Sequence, residues 1–402
     1  MSNLDQLGAL LRMRRERAGL SQEVAADAVG INRVLLSYYE AGKRQVPLPT
    51  AVSLARLFGT SLEGLVGSEA SEPATIPVSD ILFRATDLAL EGSAHAGLRW
   101  FERHARDFVD LAHELGRDLP GAGRSPFPAA AGTSAREASR LARDLRRQLN
   151  LAGGPVGDVF RVADEHVALW RLPLGADLSE APSGLFYNHP QIGFCLVVNS
   201  DMTLGRQVFT AAHELGHAFF HSHGHDVVVS MAGRDHARER FADAFAGEFL
   251  VPGDELRRVA GDLAVWEDID SPVLVVRLQR HFGVSFATIR VRMRQEKLIS
   301  QSAFEGLGEV SPSRLARALG YDVQPADMGN YSLHPLDRFP AAMLSLVRTA
   351  VERGVITAGD AAETLGTGLE EVRQLLGRPR AEPGERRAQQ DLEDAAFARQ
   401  DP

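Results

Sequence analysis

The sequence predicts a mainly α-helical chain with a small β-sheet set into its middle. Three observations predict it. Apolar residues recur at helical spacing through residues 1–67 and again after Pro252, in runs closed by Gly or Pro. Only residues 167–173, 184–187 and 192–198 are short, apolar and β-rich, and they fall close together. Two amphipathic helical patterns then follow, and between them they carry most of the candidate chemistry.

Length and composition bound the reading. A chain of 402 residues suits two or three domains. Cys195 is the single cysteine, so an internal disulfide and a Cys-based zinc site are both excluded, and its apolar neighbours mark it as a small core residue. The N-terminal residues lack a basic-then-apolar leader, and no uncharged apolar run approaches the ~20 residues that span a bilayer. A cytoplasmic protein with no membrane partner is the expectation. The net charge of −9 argues against a dedicated nucleic-acid binder, but its distribution along the chain matters more than the total.

In residues 1–67, Leu7, Leu10 and Leu11 share one helical face and Gly19 breaks the pattern. Ser21 is placed to cap a helix over 22–29, which Gly30 ends; Asn32 is placed to cap the next, over 33–40, which Gly42 closes. Further helices are expected over 49–58 and 61–65. Two short helices joined by a Gly-containing turn follow the helix-turn-helix plan. From Gly8 to Arg44 there are seven basic residues (Arg12, Arg14, Arg15, Arg17, Arg33, Lys43, Arg44) against four acidic ones (Glu16, Glu23, Asp27, Glu40), a local excess that suits a DNA-facing module.

The runs Leu20-Ser21-Gln22, Gly30-Ile31-Asn32-Arg33 and Glu40-Ala41-Gly42-Lys43-Arg44 closely resemble the phage-repressor-like (XRE) DNA-binding family. That resemblance implies an all-α, lambda-repressor-like helix-turn-helix domain that binds a double-stranded DNA operator. It implies that Gln22 meets a phosphate or a nearby base edge, and that Asn32, Arg33, Val34, Ser37 and Tyr38 face the groove. Lys43, Arg44, Arg12, Arg14 and Arg15 would meet phosphates. A homodimer on a palindromic site is the matching expectation.

Residues 68–78 are small, polar and Pro-bearing and read as a linker. A long helical pattern over 80–115 carries Trp100, Phe101, Phe108 and Leu111, suited to dimerisation or to packing on the next domain, and 119–132 reads as a mobile break. Ser134 and Glu137 form a capping-box signature for a helix to about residue 149, and another helix is expected over 155–166. The three strands follow.

Next comes His213-Glu214-Leu215-Gly216-His217. Residues four apart on a helix leave from one face, so both imidazoles can reach one divalent cation, most often Zn²⁺. Glu214 is placed to act as general base rather than as ligand. A zinc site needs a third protein ligand. Phe241, Ala242, Phe245, Ala246, Phe249 and Leu250 mark a second helix stopped by Pro252, with Glu239 and Asp243 one turn apart on it. Glu239 can be the third ligand, and Asp243 can accept the free N–H of a ligand histidine. His223 is a rival, at the metzincin-type spacing, but Phe220 stands where that pattern needs Gly. His221, His223, His225 and His236 otherwise read as a polar loop between helices. Tyr187 and His189, near the end of a strand before the site, are the candidate oxyanion stabilisers.

A strand ending in Asn199, the run Arg206-x-x-Phe-Thr-x-Ala-His-Glu-Leu-Gly-His217 and the later helix with Glu239, Asp243, Glu248 and Pro252 resemble the ImmA/IrrE family of zinc-dependent metallopeptidases. The resemblance implies a central α+β zincin-like domain, Zn²⁺ as cofactor, His213, His217 and Glu239 as ligands and Glu214 as base. It implies a regulator that cleaves a partner protein, such as a repressor, in a stress or phage-related response. Glu248 lies off the face of Glu239 and is expected to be structural or on the surface. Two other functions fit the same residues: a regulator whose metal domain senses a signal without proteolysis, and an antitoxin or immunity-type autoregulator.

Residues 273–282 and 286–293 bracket Gly283-Val284-Ser285, and 356–366 and 369–376 repeat the rhythm. Glu370 and Glu371 make the last pair a poor surface for phosphate, so both pairs read as packing or protein-contact elements. The expected organisation is a helix-turn-helix domain over 1–67, the linker 68–78, a helical connector and loop over 79–132, the metallopeptidase domain over 133–300, a helical C-terminal region over 301–378 and a charged, disordered tail over 379–402.

Overall fold

The computed structural model describes residues 3–17, 20–58, 92–119, 134–151, 153–176, 181–221, 227–230, 236–327 and 332–377. The expected helix 61–65, linker 68–78 and tail 379–402, and all but the first residue of the expected loop 119–132, lie outside the described residues.

Among the described residues, four helices form the N-terminal unit: α1 (Asn3–Arg17), α2 (Gln22–Ala28), α3 (Arg33–Glu40) and α4 (Leu48–Leu57). The two caps stand where the sequence puts them. Ser21 Oγ accepts from the Val24 amide at 3.2 Å and Asn32 Oδ1 from the Val34 amide at 2.7 Å. Leu11, Leu20, Ala25, Leu36, Tyr39 and Leu54 are buried together as a core of their own.

Helix α5 (Gly92–Glu114) follows, then α6 (Ala135–Gln148), which Ser134 caps, and α7 (Val159–Asp164). The helix expected over 155–166 is thus shorter. Gly157 takes φ +73° and the Asp158 carboxylate accepts from the amides of Phe160 and Arg161, so the chain turns before α7 begins.

Among the described residues, the sheet has four strands in the order β1-β3-β2-β4. Strands β1 (Ala168–Leu172) and β3 (Gly193–Asn199) run parallel; β2 (Gly184–His189) is antiparallel to both β3 and β4 (Val227–Ser230). Strand β4 falls where the sequence suggests only polar loop, because Val227-Val228-Val229 is too short a run to stand out among its neighbours.

Both faces of the sheet are covered, which is why β3 reads as an unbroken apolar run with every residue buried. Leu169, Phe186, Phe194, Leu196 and Val198 pack on one side with α6, α8 (Leu204–Phe220) and α9 (His236–Leu250). Trp170, Leu172, Leu185, Tyr187, Cys195 and Val197 point the other way, where α5 supplies Leu98, Phe101 and Phe108. The same core takes Met343, Val347, Leu365, Val372 and Leu375 from α15 (Ala341–Glu352), α16 (Ala358–Leu365) and α17 (Leu369–Gly377). The expected connector and C-terminal region therefore contribute to a core shared with the sheet.

Between α9 and this C-terminal layer run α10 (Gly253–Leu263), α11 (Pro272–Phe282), α12 (Phe286–Gln295), α13 (Gln301–Gly308) and α14 (Pro312–Ala318). Glu248 proves structural and not superficial: it is 3% exposed. It accepts from Arg292 Nη2 at 2.7 Å and Arg143 Nη1 at 2.9 Å, tying α9 to α12 and α6.

Candidate functional site

The end of β3 sets the position of α8. Asn199 is fully buried. Its Oδ1 accepts from the amides of Leu174 and Asp201, and its Nδ2 donates to the carbonyls of Gly175 and Pro182. Gln207, also fully buried, donates to the carbonyls of Ser200 and Met202 and accepts from Arg171. These bonds fix the first turn of the helix that carries the histidines.

On α8, His213 and His217 lie one turn apart with their Nε2 atoms 3.1 Å from each other. Glu239, on α9, places Oε2 at 3.2 Å from His213 Nε2 and Oε1 at 3.4 Å from His217 Nε2. All three ligand atoms fall within 4.8 Å of one another. Four ligands held tetrahedrally at 2.0–2.2 Å from Zn²⁺ stand about 3.3 Å apart, so the spacing of this donor set fits that ion.

The outer nitrogens are also engaged. His213 Nδ1 is 3.0 Å from Asp243 Oδ1. His217 Nδ1 is 2.9 Å from His221 Nδ1, one ring donating and the other accepting. His221 is therefore not part of a polar loop. It ends α8, is 8% exposed and packs its ring 4.6 Å from that of Phe241. The signal was in the sequence: His213, His217 and His221 repeat every four residues on one face. His236 opens α9, and the rival His223, with His225, lies outside the described residues.

Charge in the pocket is arranged for a cation. Burial works against a charged His213, yet hydrogen bonds to Asp243 and Glu239 and the nearby Glu214 charge hold its pKa up at about 10. Burial would raise Glu239, but its bonds to both histidines bring it down to about 2. Burial, together with the His213 charge, lowers His217. The carboxylates thus hold one positive charge between two nitrogens that a single cation can bridge. Glu214 is fully buried against β2. A Cβ on Gly184 would stand 3.0 Å from its Oε1 and 2.6 Å from Thr210 Cγ2, so only glycine lets the strand pass this close. A cleft of about 860 Å³ opens beside His213, Glu239 and Asp243, with Phe209, Val291, Arg206 and Arg240 also lining it.

Neither oxyanion candidate reaches this site. Tyr187 points into the core on the other face of the sheet, with its ring 6.4 Å from that of Phe101. His189 Nδ1 accepts from the amides of Gln191 and Ile192, and burial lowers its pKa to about 4. Alternation along β2 sends Leu185, Tyr187 and His189 to one side and Phe186 to the other.

In the N-terminal unit, Asn32, Arg33, Val34, Tyr38, Lys43 and Arg44 are exposed and Ser37 is half-buried. Val34 and Tyr38 keep 55% and 45% of their surface in water. Arg15 does not join a phosphate-facing set. Its Nε and Nη2 donate to Glu40 at 2.6 and 3.0 Å in a buried pair. Gln22 Nε2 donates to the same carboxylate at 2.8 Å, which ties that amide to the interior.

Residues 6–65 match the profile of a helix-turn-helix domain, and residues 174–294 match that of the IrrE N-terminal-like domain, an M78 peptidase family. No curated protein matches the chain. Among the described residues, no helix is long and apolar enough to cross a membrane.

Proposed function

We propose that this chain, a helix-turn-helix domain joined to an IrrE N-terminal-like domain, is a DNA-binding transcription regulator carrying a zinc-dependent endopeptidase. The observation that carries the reading is the meeting of His213, His217 and Glu239 beside the buried Glu214, at the edge of an open cleft. The substrate suggested by the resemblance to ImmA/IrrE peptidases is a repressor or other regulatory protein, in a stress or phage-related response.

His213 Nε2, His217 Nε2 and the Glu239 carboxylate would hold Zn²⁺, which supplies a Lewis acid and makes water nucleophilic near neutral pH. Asp243 accepts the Nδ1–H of His213, which leaves the Nε2 lone pair turned inward. His221 does the same for His217. Glu214 takes the proton of the attacking water and returns it to the leaving amine. In the DNA-binding half, Asn32 and Arg33 read base edges in the major groove, Val34, Ser37 and Tyr38 face the same groove, and Lys43 and Arg44 hold phosphates. A homodimer on a palindromic operator fits this plan.

The two activities are separable, and that is the test. Arg33→Ala should weaken operator binding by about 1–3 kcal/mol and leave peptide cleavage by the zinc-loaded chain intact. Regulation in cells that persists in a cleavage-dead chain and vanishes in Arg33→Ala would replace proteolysis with sensing.

The His221 contact gives a separate expectation. His221→Ala should weaken zinc binding by about 10–100-fold in a chelator competition, with helix content unchanged by circular dichroism. Wild-type affinity in that variant would mean that His217 is oriented without it.

A further inference from the structure

Two exposed guanidinium groups line the cleft beside the metal site. Arg206 lies two turns before His213 on α8, and Arg240 is the neighbour of Glu239 on α9. Both are exposed, and among the described residues neither forms a hydrogen bond or ion pair. The other charged groups of the cleft are engaged. Glu239 and Asp243 hold the histidines. Asp327 accepts from Gln279 and the Phe286 amide. Arg292 donates to Glu248 and to the Val251 carbonyl. A chain with net charge −9 therefore presents, in a cleft next to the donor set, two cations not spent on a protein partner and no competing free acid among the described residues. Phe209 and Val291, the latter 40% exposed, give the same cleft an apolar bed.

Resting on the peptidase reading above, we infer that the cleft takes an extended peptide carrying acidic side chains on either side of an apolar residue near the scissile bond. Seven helical residues put Arg206 about 10 Å along α8 from His213, the span of about three residues of extended chain. One acidic side chain belongs at that distance from the reacting carbonyl, on the Arg206 side. The second lies nearer, where Arg240 adjoins the Glu239 ligand. Arginine suits both places, because its fork grips a carboxylate with two parallel hydrogen bonds.

The test uses the full chain loaded with zinc and three fluorogenic peptides of one Gly-, Ser- and Leu-containing sequence. Two positions flanking the central Leu carry Glu, Gln or Lys. The Glu peptide should exceed the Lys peptide by about tenfold in kcat/KM, as expected for two exposed ion pairs. Arg206→Glu/Arg240→Glu should reverse the order while zinc stoichiometry stays the same. The same peptides, labelled for fluorescence anisotropy, are bound to Glu214→Gln so that affinity is read without turnover, and the order Glu, Gln, Lys should hold there too. Cleavage or binding with no charge preference, or a preference untouched by the double reversal, overturns the acidic substrate and leaves peptidase activity standing. Charge-ordered binding with no cleavage of any peptide overturns the peptidase and leaves the acidic preference standing.

Discussion

Glu214→Gln is expected to lower peptide cleavage by about 10²–10⁴-fold while the chain still binds zinc. The donor set is His213, His217 and Glu239, so the substitution removes no ligand atom. Glutamine has nearly the shape of glutamate, and a fully buried side chain packed beside Gly184 keeps its packing. What it loses is basicity: an amide cannot take a proton from water and hand it to an amine. The Glu214 charge is also one of the groups that hold His213 at a high pKa, so its removal makes the pocket slightly less attractive to a cation. Zinc content measured alongside turnover keeps the two effects apart. Turnover at the wild-type rate by the zinc-loaded variant would remove Glu214 from the mechanism.

Glu40→Ala should destabilise the helix-turn-helix domain by about 3–5 kcal/mol. The Arg15 and Glu40 side chains are 9% and 3% exposed and meet through two parallel hydrogen bonds. Gln22 donates to the same carboxylate, and Arg15 Nη1 donates to the Leu20 carbonyl at 2.7 Å. Truncating Glu40 takes the bidentate carboxylate away from a buried guanidinium and the acceptor away from the Gln22 amide, and desolvation then costs more than the lost attraction. Against a total stability of about 5–15 kcal/mol for a domain, that change removes much of the margin. The expected readout is an early urea transition accompanied by loss of DNA binding. Zinc binding should survive, because Leu11, Leu36 and Leu54 form a core distinct from the one around α8. A single unfolding midpoint at the wild-type denaturant concentration would refute this.

These two residues mark how much of the molecule its sequence discloses. The relation between His213, Glu214 and His217 is set within one helical turn, and so is that between Glu239 and Asp243. Helical geometry alone gives both. The caps Ser21, Asn32 and Ser134 and the strands β1, β2 and β3 were legible for the same reason, since each rests on contacts within a few residues. His221 was missed although its spacing was in view, because a run of histidines reads as polar loop until something buries it. Strand β4 was missed because four residues carry too little periodicity to distinguish strand from loop. Arg15 was misread because a basic residue on an N-terminal helix looks like a phosphate contact until its partner is seen.

By itself the sequence determined the mainly helical class, the two functional units and the residues that carry the candidate chemistry. Only the tertiary structure decided which of the charges are spent inside. Arg15 meets Glu40 across 25 positions and Arg143 meets Glu248 across 105. The tertiary structure also decided that α5 and α15–α17 close over the back of the sheet and turn Tyr187 away from the face that carries His213, His217 and Glu239. The physical reason is range. Hydrogen-bonded turns and helical faces are fixed by neighbours along the chain, whereas burial and charge pairing depend on which distant surfaces exclude water together.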